Sequence, residues 1–306
     1  MQTEVVKQVL SLAHQAVKET HRDRLQAYIS AYCRSIPPEV LREAEPHNLL
    51  QFVMDRFAFL EEDWTRTVKV ELKEPTVTLL NDETPCTVIE TRLPDCAFII
   101  RTIKAFLRQQ GLSLQFVLHP IHDVVHEHNQ IAAIDRGRGQ KYSQVYLQVS
   151  QVPRDKWDAL KADLTRRLEL TLLVNRDHRA MAARLDEVRA FCATTALITG
   201  KHALEAAEAV ELIDWLKEDN FVLTGYAWYP YTTTNGTNGH GATNGDERPV
   251  NRATLSGMIP KGLWKAEREL GLFQAPDHKD LDEVVGEIVA TRRTRDELYS
   301  FYRTVM

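Results

Sequence analysis

The chain has 306 residues, 43% of them hydrophobic, and a formal net charge of -5. That is enough apolar material for one large core or two ordinary ones. Acid and base are mixed along the chain, and basic pairs such as Arg166-Arg167 and Arg292-Arg293 sit among acidic residues, which argues against a nucleic-acid or anionic-membrane partner. The opening MQTEVVKQVLSLAHQ lacks the basic n-region and long apolar core of a signal peptide. No apolar run approaches the roughly 20 residues that cross a bilayer. Cys33, Cys86, Cys96 and Cys192 are scattered, with no CxxC and no disulfide framework, so a cytoplasmic location is expected.

The first 64 residues read as a layer of short helices. Val5, Val9, Leu12 and Val17 give a rough apolar stripe, which Leu25, Tyr28, Ile29 and Tyr32 continue in a second helix. Pro37-Pro38 breaks that run, and Pro38 can start a new helical turn. Leu49, Leu50, Phe52, Val53, Phe57 and Leu60 then follow at helical spacing. Residues 68–77 make a strand candidate that Pro75 confines to an edge or turn. In the next strand Thr87, Ile89, Thr91 and Leu93 share a face. Pro94-Asp95 makes the turn, and Asp95 is placed as N-cap of an amphipathic helix with Ile99, Ile103 and Phe106 inward. Gly111 stands at the C′ position that ends it.

Residues 112–118 alternate as a half-buried strand, and residues 124–134 fold back as a hairpin around Asn129. After the polar RGRGQK loop, Val145, Leu147 and Val149 mark another half-buried strand. Helical regions follow around Trp157 to Leu168, Met181 to Cys192 and Val210 to Leu216, and NFVLTGYAWYPY is strand-forming. The stretch Thr232 to Pro249 is polar and rich in Asn-Gly, which reads as an insert between two strands of one domain, with Ala253 to Met258 extended after it; a domain linker is the alternative. The tail from Asp277 reads as a charged helix through Leu281, Val284, Val285, Ile288 and Val289.

The usual cofactor signatures are missing. Neither Gly137-Arg138-Gly139 nor Gly239-His240-Gly241 lies between a strand and a helix, and no P-loop, GxSxG elbow or HExxH occurs. On an extended backbone His122, His126 and His128 share one face, so three imidazoles could approach one metal ion. Surface histidines beside a hairpin explain the same pattern. Asp95, Cys96 and Ala97 open a helix directly after a strand, where backbone N–H groups can cradle a carboxylate or phosphate. A plain helix cap is the alternative. Cys96 has no base adjacent in sequence that would make it a nucleophile. Tyr226, Trp228, Tyr229 and Tyr231 suit a strand packed under helices, and the basic residues that nucleic-acid stacking needs are absent nearby.

The run DCAFIIRTIKAFLRQQGLSLQFVLHPIHDVV resembles the amino-terminal region of the large bacterial NAD-specific glutamate dehydrogenases. Asp95, Phe98, Gly111, Leu112, His119, Pro120, Asp123 and Val124 fall in step with that family's pattern. So do AYCRSIPPEVLREAEPHNLLQFVMDRFAFL before it and Trp215, Leu216, Asp219, Phe221, Leu223, Gly225 and Tyr226 after it, with a Gly271-Leu272 pair beyond. The likeness covers roughly residues 25 to 275. Ala97 replaces the family's proline, and Arg101-Thr102 stands where Asp-Ser is usual.

The expected fold is α+β: an N-terminal helical layer over residues 1–64, then an ACT-like βαββαβ antiparallel sheet with helices on one face over residues 65–231. The insert at 232–250 and a strand-containing continuation with a charged helix at 251–306 complete the organisation. The sheet's other face, lined by Ser113, Gln115, Val117 and His119, would be open to dimerisation or another module. The resemblance implies a regulatory or assembly segment of an enzyme that deaminates L-glutamate with NAD in a domain absent from this chain. The chain alone would be non-catalytic, with no cofactor of its own. Its partners would be that downstream catalytic domain, further copies of the chain, and a small amino-acid effector touching Asp95, Cys96, Ala97 and Arg101. A free-standing amino-acid sensor and a metal-binding protein using His122, His126 and His128 are the alternatives.

Overall fold

The computed structural model describes residues 4–16, 19–77, 79, 85–127, 130–134, 137–196, 203–220, 222–228, 230–231, 248–249, 268–274, 290–294 and 297–301. The chain divides into two units, Met1–Glu169 and Leu170–Met306. The first begins with four helices: α1 (Glu4–Ala16), α2 (Glu19–Cys33), α3 (Pro38–Glu43) and α4 (Pro46–Glu61). The inward stripe of α1 is Val6, Val9 and Ala13, about one position on from the stripe read in the sequence. In α2 it is Leu25, Tyr28, Ile29 and Tyr32, as expected. Pro38 starts α3 in the first turn, where its missing N–H costs nothing. Glu45 caps α4: its carboxylate accepts the Asn48 N–H at 2.8 Å.

The sheet follows. Its strands are β1 (Lys69–Lys73), β2 (Cys86–Pro94), then helix α5 (Ile99–Gln109), then β3 (Leu114–Leu118), β4 (Ile121–Glu127), β5 (Gln130–Ile134) and β6 (Gln140–Ser150). The antiparallel order is β1-β2-β6-β4-β5, with β3 also on β6. Strands β3 and β4 thus lie along β6 one after the other, separated by His119-Pro120. The hairpin around residue 129 is β4 with β5. Gly111, at φ +66, ends α5 as expected. The Gly111 N–H bonds Arg108 C=O and the Leu112 N–H bonds Leu107 C=O, which is a Schellman stop.

The α+β class holds, with two differences from the arrangement expected. The edge beside β2 is occupied by β1, which precedes the strand–helix–strand run rather than following its second helix. And β2 and β6 are buried on both faces, not one: every residue from Cys86 to Leu93 and from Ser143 to Val149 is buried. On one face Val88 and Tyr146, with Leu118, Val124, Ile131 and Ile134, join the core built by α1 to α4. On the other, Ile89, Leu93, Val145, Leu147 and Val149 are buried as well, as are Ile103 and Phe106 of α5 and Leu160 and Leu164 of α6 (Trp157–Ala196). A strand buried on both faces needs apolar or bonded residues at every position, so alternation of polarity understates its burial.

The polar residues on the inner face of β2 and β6 are bonded to the helical layer. Arg56 of α4 is fully buried, with Nε 2.9 Å from Glu90 Oε1 and its guanidinium over the Phe52 and Tyr146 rings. Lys73 pairs with Glu90 from β1. Gln144 donates to the Arg56 carbonyl at 2.8 Å and accepts from Tyr28 Oη at 2.9 Å, which joins α2, α4 and β6. Arg92, also buried, donates to the carbonyls of Leu60, Glu62, Asp63 and Arg66 where α4 ends, and lies over Trp64.

In the second unit, α6 from Leu170 onward and α7 (Ala203–Trp215) are joined by Arg189, which holds Asp214 with both Nε and Nη2. Strands β7 (Gly225–Trp228), β8 (Pro230–Tyr231), β9 (Arg248–Pro249) and β10 (Arg268–Gly271) form two short pairs, β7 with β10 and β8 with β9. Asp177 of α6 accepts the Gly271 N–H at 2.9 Å. At φ +61, with Thr224 O 2.3 Å from where a Cβ would sit, that position takes only glycine. The helical regions read around Trp157 and Met181 are one helix. Within the tail read as helical from Asp277, residues 290–294 and 297–301 form an antiparallel pair instead, β11 (Ala290–Thr294) with β12 (Glu297–Phe301). The apolar residues of the helical reading, Leu281 to Val289, end before that pair begins and lie outside the described residues, as do Ala253 to Met258 and most of the Asn-Gly stretch.

The Arg56–Glu90 pair sets a test. Glu90→Leu strands a buried guanidinium and is expected to cost about 3–5 kcal/mol of unfolding free energy, and Arg56→Met added to it should recover most of that loss. Denaturant unfolding of the two variants measures both; a Glu90→Leu loss below about 1 kcal/mol would remove the pair as an anchor.

Candidate functional site

Strand register gathers three polar residues at the end of β2. Ser143 pairs with Leu93 on one side and with Ile121 on the other, because β6 runs between β2 and β4. Two residues beyond Leu93 lies Asp95, and two before Ile121 lies His119, so period-two alternation turns both toward the face that carries Ser143. The Ser143 hydroxyl donates to Asp95 Oδ1 at 2.9 Å, and His119 Nε2 lies 2.6 Å from Ser143 Oγ. Asp95 is also tied through its backbone, whose N–H donates to Lys141 C=O at 2.9 Å.

The residue types are those of a hydrolytic triad, but the proton order is not. An ionised carboxylate only accepts, so the one hydroxyl proton of Ser143 goes to Asp95, and His119 must donate its Nε2–H to Ser143 Oγ. A nucleophilic serine needs the reverse, a histidine that receives the hydroxyl proton. Ser143 is also fully buried. The arrangement closes three strands together and offers no attacking oxygen. Burial lowers the His119 pKa below its ordinary 6.5, a shift the nearby Asp95 charge opposes.

The turn that follows departs from the cap expected in the sequence. Helix α5 begins at Ile99, its N-cap is Phe98 with no side-chain cap, and the carboxylate of Asp95 is engaged by Ser143 instead. Phe98 is left-handed at φ +74, an uncommon conformation for a bulky residue. Cys96 is half-buried, and burial followed by the Asp95 charge pushes its thiol up to about 11. That shift disfavours the thiolate near neutrality, the form in which a cysteine attacks. Ala97 is exposed, and the Arg101 guanidinium is 6.0 Å from the Phe98 ring centre, one turn into α5. Of the four residues read as ligand contacts, Asp95, Cys96 and Ala97 therefore share the turn and Arg101 stands on the helix above it.

The histidines read as candidate metal ligands have other neighbours. His122 is fully buried and stacks on Tyr28, with 4.7 Å between ring centres. His126 meets Trp64 at 3.8 Å and Tyr142 at 5.5 Å, and burial followed by the Arg92 charge lowers its pKa. His128 lies outside the described residues. Among the described residues no group of three or more His, Cys, Asp or Glu is placed to hold a metal ion. Sequence reasoning missed Ser143 as a site residue, although the alternation that buries Val145 and Val149 on one face puts Ser143 there too.

Two outcomes follow. Intact-protein mass spectrometry should find Cys96 alkylated at least 10-fold more slowly than a free cysteine of pKa about 8.5 at pH 7.5. His119 and His126 hold fewer protons folded than unfolded, so stability should be complete above their unfolded value of 6.5 and decline as pH falls below it. Melting temperature measured from pH 7.5 to 5 should drop through that window. His126→Asn should flatten part of the drop, and a melting temperature constant from 7.5 to 5 would contradict it.

Residues 28–164, from the middle of α2 into α6, match the family model described as glutamate dehydrogenase, ACT1 domain. The matched stretch holds Asp95, His119 and Ser143 together with the whole six-stranded sheet. No curated protein matches the chain. Over residues 28–164 this chain is therefore similar to the ACT1 domain of glutamate dehydrogenases.

Proposed function

We propose that the chain is the N-terminal regulatory or assembly segment of an NAD-dependent glutamate dehydrogenase, in which another domain converts L-glutamate and NAD to 2-oxoglutarate, ammonia and NADH. The observation that carries this reading is the ACT1 match across the helical layer and sheet. The proton order at Asp95, Ser143 and His119 and the raised thiol of Cys96 add support, because the reactive residue types nearest the surface turn are held in unreactive states. NAD belongs to the catalytic domain in this reading, and that domain and further copies of the chain are its partners.

A small amino acid is the effector this reading assigns to the Asp95 turn. The carboxylate of Asp95 suits an α-ammonium, and Arg101 suits a carboxylate one helical turn away. Among the described residues no helix is long and apolar enough to cross a membrane, and a cytoplasmic location accompanies the proposal. The free-standing sensor shares the same turn and differs only in lacking the catalytic partner.

The purified chain should not reduce NAD with glutamate, and steady glutamate-dependent NADH formation by it would overturn the regulatory reading. Thermal melts across the amino acids at 100-fold excess over the dissociation constant should gain about 2.7 kcal/mol, or roughly 5–10 °C for a unit of this size. Flat melts for every amino acid would remove the effector from the turn while leaving an assembly role.

A further inference from the structure

We propose that residues 95–98 are a two-position start for α5, set by whether the Asp95 carboxylate bonds Ser143 or caps the helix. Three observations meet at this turn. Asp95 occupies the position that N-cap preference assigns to an aspartate, directly before a run with helical spacing, yet its side chain is bonded across the sheet to Ser143. The helix starts three residues late, at Ile99, with no side-chain cap. And the residue that makes the late start is an aromatic one in the left-handed region, with φ +74 and ψ 0. Side chains at this backbone conformation are strained, and strain of this sort persists where the surroundings hold it.

The second position follows from the same residues. The Asp95 backbone stays on Lys141 C=O, because an N-cap residue is itself extended. Its carboxylate turns from Ser143 to the amides of Ala97 and Phe98, Phe98 relaxes to helical angles, and Ile99 and Ile100 N–H bond to Asp95 and Cys96 C=O. The bond already present from Thr102 N–H to Phe98 C=O, at 2.9 Å, is kept. Helix α5 lengthens by three residues, roughly 4.5 Å along its axis. The partner of the Asp95 carboxylate, together with the backbone angles of Phe98, therefore decides whether α5 has its last N-terminal turn. This element rests on the fold and not on the effector reading, so it can fail without touching that reading.

The test is nuclear magnetic resonance and hydrogen exchange on the full chain. Ser143→Ala removes the competing partner: Cα shifts of Cys96, Ala97 and Phe98 should become helical, and exchange at Ile99 and Ile100 should slow at least 10-fold. Unchanged shifts and rates would overturn the proposal. A second pair of variants leaves the buried serine alone. Phe98→Gly favours the left-handed turn and Phe98→Ala favours the helix, with the aromatic ring lost in both. The glycine variant should melt higher than the alanine variant, the reverse of the order inside a helix, and the alanine variant should show the helical shifts at 96 and 97. An alanine variant that melts higher, or shifts equal in the two, would overturn it as well.

Discussion

Two buried guanidinium groups fix the helical layer on the sheet, and the geometry of the first unit depends on them. A charge removed from water costs several kcal/mol unless its partners are in place, so each arginine accepts few arrangements of its surroundings. Arg56 is matched by Glu90 and by two aromatic faces. Arg92 is surrounded instead by the Leu60 carbonyl in the last turn of α4, by those of Glu62, Asp63 and Arg66 in the segment that follows, and by the face of Trp64. The carbonyl end of a helix is its negative pole, and a planar cation with several fixed donors suits it better than an ammonium would. Both groups meet the same inner face of β2, through Glu90 and Arg92 itself. A slide of β2 by one residue would turn both away from the helices.

That constraint reaches the turn at Asp95. With β2 fixed in register by its charges and β6 paired to it residue by residue, Leu93 must stand beside Ser143. Asp95 and His119 then meet Ser143 without further specification, because β4 pairs with the same stretch of β6. Holding the carboxylate there denies it to the helix that follows. The uncapped, left-handed start of α5 is thus a consequence of sheet register, transmitted through one serine hydroxyl. A helix start that local sequence would set in one place is set in another by pairing two strands away.

Much of this fold was legible in the residues, and the parts that were not share a cause. Periodicity placed α2, α4, α5 and the strands, and the chemistry of Pro38 and Gly111 placed a start and a stop, because each is decided within a few residues. Misreadings came where the decision is made elsewhere. Alternation in β6 suggested one wet face, but Gln144 and Gln148 on that face are buried and bonded within the protein, Gln144 to Arg56 and Tyr28. Asp95 was read as a cap because nothing near it in sequence announces Ser143. The six-stranded order was illegible too: β1 joins the β2 edge from the N-terminal side, and pairing between strands leaves little trace in either strand alone. The family resemblance added what periodicity could not, and the matched range runs through most of the region that carried it.

Proton order is the sharper guide to function at this turn. Aspartate, serine, histidine and cysteine lie within one turn and two strand ends, an inventory from which an active site could be assembled. Three of them are bonded to one another, with the hydroxyl proton facing the carboxylate and the imidazole donating where a base would accept, and burial beside a negative charge raises the thiol. Catalysis requires the opposite, a group left with unspent basicity at the point where substrate arrives. A turn whose carboxylate, hydroxyl and imidazole are bonded to one another can still respond to a ligand, since a ligand that competes for one of those bonds changes the backbone it was holding. In this chain the bond most open to such competition is the one between Ser143 and Asp95, because the carboxylate has a second use, capping α5, once Phe98 takes helical angles.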